Sequence, residues 1–196
     1  MAQVSEMGVR PFCGSHYTLG PCELRTMAAE WISPIANQLA QLEPWLTLAY
    51  TSDALSRYLA AGGQDFMRFA VMREGEIAGA VCVRFPWLRG VYLELIGLFP
   101  QAQDQGIGRA VCEWLEQEVS GHADNLWTLV STFNMPARRF YLGCHFMEIG
   151  VLEDFVRPGY NEILMRRTIS HPPSVCQVTH LRDDPVKNPA QGCNAA

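Results

Sequence analysis

Gln103, Gly106 and Gly108 stand where residue type and spacing ask for one particular chemistry, the holding of a phosphate. They follow an apolar stretch at 91–99 and a proline, Pro100, and lead straight into a run of helical spacing at 109–119. In that run Val111, Trp114 and Leu115 share a face, while Glu113, Glu116 and Gln117 turn mostly away from it. Without a Cβ, Gly106 and Gly108 let the backbone turn sharply and bring its amides close to a visitor. The first amides of a helix lack intrahelical acceptors and lie at the positive end of its dipole; amides curled around a turn strengthen the preference for an anion. Two nucleotide patterns fit less well. The dinucleotide fingerprint Gly-x-Gly-x-x-Gly needs a small residue where Val111 stands, and a Walker-type loop needs Gly-Lys-Ser/Thr, which is absent.

A second candidate group is Glu94, a carboxylate inside an otherwise apolar strand. Partial desolvation there suits a proton acceptor. The plainer reading is a solvent-facing alternate position, with Glu94 and Ile96 on one face and Leu93 and Leu95 on the other.

Gln103-x-x-Gly106-x-Gly108, preceded by Leu98-Phe99-Pro100, resembles the acyl-CoA pyrophosphate loop of the GNAT superfamily of N-acetyltransferases, Gln/Arg-x-x-Gly-x-Gly/Ala after the fourth strand. Further on, Asn134, Ala137, Phe140, Tyr141 and Phe146 match that family's Asn-x-x-Ala-x-x-Phe-Tyr-x-x-x-Gly-Phe. Two motifs in the right order, one helix and one strand apart, are far more specific than either alone. The resemblance extends over about residues 15–168, with its telling residues between 91 and 146. His145 stands where the family carries glycine. A positive φ there would strain a histidine, unless Gly143 ends the helix in its place.

The resemblance implies an N-acetyltransferase that passes the acetyl group of acetyl-CoA, as co-substrate and without a metal, directly to an amine of a small molecule, a protein or a peptide. It assigns the cofactor to Ile96, Leu98, Phe99, Gln103, Asp104, Gln105, Gly106, Ile107, Gly108, Arg109, Asn134 and Tyr141. Amides at 96–98 would polarise the thioester carbonyl, with Gly97 permitting a bulge that splays the strand. Tyr141 would protonate the departing sulfur, and Glu94 would take the amine's proton directly or through water. Tyr141 could instead be core, and Asn134 could cap the helix that starts at Pro136. Arg138 and Arg139 would either reach the 3′-phosphate or form a solvated helix face. The alternative function is a non-catalytic acyl-CoA-binding regulatory module on the same fold.

The elements that must position these groups are a mixture of strands and helices. The expected order is a strand at 16–20, a helix at 22–41 kinked or split by Pro34, and a helix at 51–61 capped by Thr51-Ser52-Asp53. A hairpin of 66–72 and 76–85, a turn at 86–90 and the strand at 91–99 follow. After the helix come a strand at 126–132, a helix at 136–143 and strands at 146–151 and 161–167. The resulting fold class is α/β. The resemblance implies a GNAT-like central sheet, mixed but mostly antiparallel, of about seven strands flanked by helices, with the fourth and fifth strands splayed to admit the cofactor. Residues 1–14 are expected to be a flexible leader, 15–168 the acetyltransferase domain and 169–196 an extended or disordered tail.

Composition agrees with a folded domain. Of 196 residues, 48% are hydrophobic and 18% charged, which excludes wholesale disorder. A net charge of −5 disfavours nucleic acid and mildly favours a cationic or amine partner. No apolar run approaches a membrane span, the first ten residues do not read as a secretory signal, and the seven cysteines show no disulfide rhythm, so a cytoplasmic protein with reduced thiols is expected. A homodimer is left open.

Cys144 beside His145 is a poor nucleophile pair, because strand neighbours point to opposite faces. Cys13, His16 and Cys22, and His171, Cys176, His180 and Cys193, lack paired metal-ligand spacing. Trp31, Trp45, Trp114 and Trp127 read as core, and Trp87 as an acceptor or partner contact; Pro44-Trp45 hints at a partly apolar acceptor. The acceptor itself is not legible; the helices at 22–61 and the loop at 86–90 are expected to set it, and they carry no diagnostic motif.

Overall fold

The computed structural model describes residues 10–169. Among these, strands β1 (His16–Thr18), β2 (Glu23–Thr26), β3 (Phe66–Arg73), β4 (Glu76–Trp87), β5 (Gly90–Leu98), β6 (Asn125–Ser131), β7 (Met147–Arg157) and β8 (Tyr160–Thr168) form one sheet. Its order is β1-β2-β3-β4-β5-β6-β8-β7, and only β5 and β6 run parallel. The parallel pair needs a crossover, and helix α3 (Ile107–Glu118) provides it. Helices α1 (Ala29–Leu39), α2 (Ser52–Ala60) and α4 (Met135–Gly143) complete the fold. Two apolar clusters result. One gathers Val111, Trp114 and Leu115 of α3 with Phe69, Val81 and Val91 of the sheet; the other gathers Ile35, Leu39, Leu55 and Leu59 of α1 and α2 with Ala70, Ala80 and Leu95.

Three elements differ from the expected order. The helix expected from residue 22 starts only at Ala29, because Leu24 joins the sheet opposite Val71 as part of β2. Its apolar residues match helical spacing over 24–28 without being helical, since hydrogen bonding to β3 decides the local conformation. Pro34 lies inside α1 and does not split it. Pro86, expected in a turn, is part of β4; the reversal falls on Leu88 and Arg89, with φ of 41° and 55°. Strand β7 runs on to Arg157, and its mostly exposed edge position removes the apolar alternation that would have revealed its length. Within the expected leader, Phe12 packs into the first cluster and donates its N–H to Glu118 Oε2 at 2.9 Å.

The site depends on how β5 behaves along its length. Leu93 is the last β5 residue paired with β6, opposite Thr128, whose hydroxyl donates to the Leu93 carbonyl at 3.1 Å. Beyond it the two strands part. On the β4 side the pairing runs Leu93 to Val83 and then Leu95 to Cys82, so Glu94 is an extra residue, a β-bulge. The bulge switches the alternation: Val91 and Leu93 pack into the α3 cluster, whereas Leu95 packs with α1 and α2. The bulge expected at Gly97 is therefore at Glu94. Gly97 pairs in register with Ala80, and its lack of a side chain makes room for others; a Cβ there would lie 2.3 Å from Leu39 and 2.8 Å from Trp45.

Candidate active site

A cleft of about 1060 Å³ follows the gap between β5 and β6. At one end it is bounded by Gln103, Asp104, Gly106, Ile107, Gly108 and Arg109, and along its middle by Glu94, Ile96, Leu98, Asn134 and Tyr141. Of the residues picked out in the sequence for cofactor or catalysis, two stand apart. Phe99 is buried in the α1–α2 cluster, and Gln105 turns its side chain onto the Gln101 carbonyl at 2.7 Å.

The glycine turn has the geometry of an anion cradle. Gly106 caps α3 with φ of 78°, and Asp104 also takes positive φ, 57°. Among the described residues, none accepts a hydrogen bond from the amides of Asp104, Gln105, Gly106, Ile107, Gly108 or Arg109. The turn is mostly exposed, with Ile107 buried and Gly108 half-buried, and the first amides of a helix have no intrahelical acceptors, so this row is open to an anion from outside the chain. Gln103 does a different job: its side-chain amide donates to the Leu98 carbonyl at 2.9 Å and ties the turn to the strand.

Phe99 donates its N–H to Ala78 of β4 at 2.8 Å. Strand alternation then turns the Ile96 and Leu98 amides away from β4 and toward the gap. The bulge at Glu94 sets that parity.

Tyr141 is 5% exposed, with its ring set edge-on to Phe146 at 5.4 Å and tilted against Phe140 at 5.0 Å. Burial pushes its phenol well above the ordinary tyrosine range, and a hydrogen bond with the Thr128 side chain partly opposes this. The residue is both core and cleft wall. Asn134 caps α4, accepting from the Ala137 N–H at 3.2 Å. Helix α4 ends in a Schellman motif: Phe146 N–H donates to the Tyr141 carbonyl and His145 N–H to that of Leu142, both at 3.0 Å. His145 takes the positive φ, 65°, that the family's glycine would take, and Gly143 remains helical.

Glu94 is not left bare in its strand. Arg84 pairs with both its oxygens, Nη2 to Oε1 at 3.2 Å and Nε against Oε2, and the guanidinium also stacks on Phe66, 4.4 Å from the ring centre. Arg138 pairs with Glu148 at 2.9 Å, while the exposed Arg139 borders the cleft. Cys144 is buried and hydrogen-bonds Cys112 rather than His145; that contact, with burial, pushes the Cys112 thiol up. Among the described residues no group of three His, Cys, Asp or Glu side chains could hold a metal ion, and His171, Cys176, His180 and Cys193 lie outside them.

Sequence reading looked for the acceptor side in the helices at 22–61 and the loop at 86–90, and missed what β5, β7 and β8 bring to the far half of the cleft. Trp45, Tyr50, Tyr58, Tyr92, Phe155 and Glu162 line it, drawn from the α1–α2 connection, α2, β5, β7 and β8. Only Pro44-Trp45 gave a signal, through its apolar character in a loop. Trp87 lies outside the cleft wall and stacks on Tyr92 at 4.7 Å.

Residues 28–146 match the profile of the Acetyltransferase (GNAT) family. The chain belongs to that family. Solved structures agree in fold. An acetyltransferase from Thermus thermophilus superposes with a TM-score of 0.60 at 17% identity, covering 78% of this chain and 99% of its own. The ribosomal-protein-S18-alanine N-acetyltransferase from Escherichia coli gives 0.57 at 18%, covering 76% and 94%. The microcin C7 self immunity acetyltransferase MccE, solved with acetyl-CoA and AMP, gives 0.64 at 16%, covering 79% and 97%. No curated protein sequence matches the chain. At these identities the likeness to solved structures is one of fold. The cleft runs from the glycine turn at one end to Trp45 and Glu162 at the other. No helix among the described residues is long and apolar enough to cross a membrane.

Proposed function

We propose that this GNAT protein is an N-acetyltransferase that moves the acetyl group of acetyl-CoA directly onto an amine. One observation carries the reading: six consecutive amides, 104–109, without acceptors among the described residues, at the end of a cleft leading to Tyr141. A diphosphate supplies the acceptors those amides lack. The acyl arm then runs along the β5–β6 gap, near Asn134, and brings the thioester carbonyl to the amides of Ile96 and Leu98. A donor aimed at a developing oxyanion contributes ~3 kcal/mol to the barrier reduction.

The amine nitrogen attacks the carbonyl carbon, the C–N bond forms and the C–S bond breaks, its electron pair going to sulfur. The Tyr141 phenol, kept protonated by burial, gives its proton to that sulfur and is reprotonated from solvent before the next turnover. The proton lost by the amine passes to Glu94 through water, with Arg84 fixing the carboxylate's position.

The test is thiol release from acetyl-CoA over a panel of amines, beside calorimetry with CoA and with ADP. The expected results are amine-dependent release and tighter binding of CoA. Binding of ADP as tight as that of CoA, with no thiol released by any amine, would replace this reading with a nucleotide-phosphate binder.

A further inference from the structure

Beyond the glycine turn, three carboxylates among the described residues line the cleft, and two are already engaged. Glu43 accepts from the Thr47 hydroxyl at 2.8 Å, and Glu94 is paired with Arg84. The third, Glu162, is different. It is 4% exposed and forms part of the cleft wall, opposite Ser131 in the β6–β8 ladder. The Ser131 hydroxyl donates to its Oε1 at 2.6 Å; among the described residues nothing donates to Oε2, and no cation pairs with it. A carboxylate taken out of water with one neutral hydrogen bond is costly, and a buried acid without a cation is a functional-site candidate. Burial accordingly pushes its carboxyl up, with Ser131 opposing.

Its surroundings say what would relieve the cost. Arg84 is committed to Glu94, while Arg109 borders the phosphate end. Tyr92 stands close enough to feel the charge of Glu162, and Trp45, Tyr50, Tyr58 and Phe155 supply aromatic walls. Acidic and aromatic groups together suit a positively charged ligand with an apolar stem, through ion pairing and cation–π contact.

We propose that Glu162 docks a second cationic nitrogen of the acceptor, so that the substrates are diamines or polyamines in which one nitrogen is acetylated while another is held. This inference rests on the acetyltransferase reading and adds the substrate class. An acceptor carrying a carboxylate near the amine would be repelled by the same wall.

The experiment compares putrescine, cadaverine and spermidine with the matched monoamines n-butylamine and n-pentylamine, in wild type and Glu162→Gln, with calorimetry on acetyl-CoA for both proteins. Glutamine keeps the shape and the acceptor for Ser131 and removes the charge. Wild type is expected to favour the diamines in kcat/KM, and Glu162→Gln to raise their KM about tenfold or more while leaving the monoamines nearly unchanged. A merely structural role would move both classes alike. No diamine preference in wild type, or a preference that survives Glu162→Gln, overturns the inference while leaving the transferase reading intact. Loss of kcat on every amine with KM held overturns it too, in favour of a proton-transfer role. Wild type that fails to bind acetyl-CoA overturns the transferase reading itself.

Discussion

Gly108 of the glycine turn and Phe140 of the second motif touch: a Cβ on Gly108 would lie 2.8 Å from Phe140 Cζ and 2.9 Å from Cε2. The two motifs are thus one packed unit, and the turn is held at the height of the cleft by a ring from α4. Gly106 is needed for another reason. A Cβ there would meet nothing within 4 Å, but its φ of 78° disfavours L side chains. Gly106→Ala should therefore cost about 1 kcal/mol of backbone strain. Gly108→Ala should cost about 1–2 kcal/mol by overpacking, and it should weaken CoA binding by moving the turn. A double-mutant cycle separates them: Phe140→Leu should recover much of the loss in Gly108→Ala and none of that in Gly106→Ala. Additive losses for both pairs would show that the contact is not what requires Gly108.

Replacing Tyr141 by Phe keeps the ring that packs on Phe146 and deletes only the hydroxyl near Thr128. Stability should change little, turnover should fall about tenfold or more, ~1.4 kcal/mol of barrier, and acetyl-CoA affinity should hold. Steady-state rates beside calorimetry check this. Equal turnover in the two proteins would leave Tyr141 as core alone.

Much of this site was legible because its signals are local. The glycine turn, the Asn134 cap and the Tyr141 position follow from residue types a few positions apart, and Thr51 caps α2 as expected, its hydroxyl accepting from Ala54 at 3.1 Å. What was not legible depends on pairing between distant strands. The bulge at Glu94 exists only in the register of β4 against β5, and it put Glu94 and Leu95 where simple alternation did not. Glu162 occupies an ordinary alternate position in a strand, the pattern of a solvated residue. Only the placement of β8 beside β6, and the gap beyond Leu93, makes it a buried cleft residue.

His145 offers a gain in stability. It holds the positive-φ place in the Schellman motif, where a left-handed L residue costs about 1–2 kcal/mol and glycine gives back part of that in unfolded-chain entropy. His145→Gly should raise stability by about 0.5–1 kcal/mol, measured by urea unfolding, and His145→Val should lower it by more than that. The histidine is exposed, so no packing is lost in either variant. A loss in His145→Gly would mean that the imidazole makes a contact that outweighs the strain.

Glu162 should also leave a signature in stability against pH. Its carboxyl is pushed above the ordinary carboxylate range by burial, so the folded protein holds that proton more tightly than the unfolded chain. Stability then falls as pH rises from the ordinary value, 4.5, through the raised folded value, because ionisation is easier once unfolded. Glu162→Gln cannot ionise and keeps the Ser131 hydrogen bond, so it escapes that loss. In thermal unfolding without ligand, the variant should gain on wild type as pH is raised from about 4 to about 7, and show no gain at or below the ordinary carboxylate value. A polyamine added at neutral pH should stabilise wild type more than the variant, since only wild type gains a charge pair. Parallel curves for the two proteins across this range would mean that Glu162 titrates like a surface carboxylate.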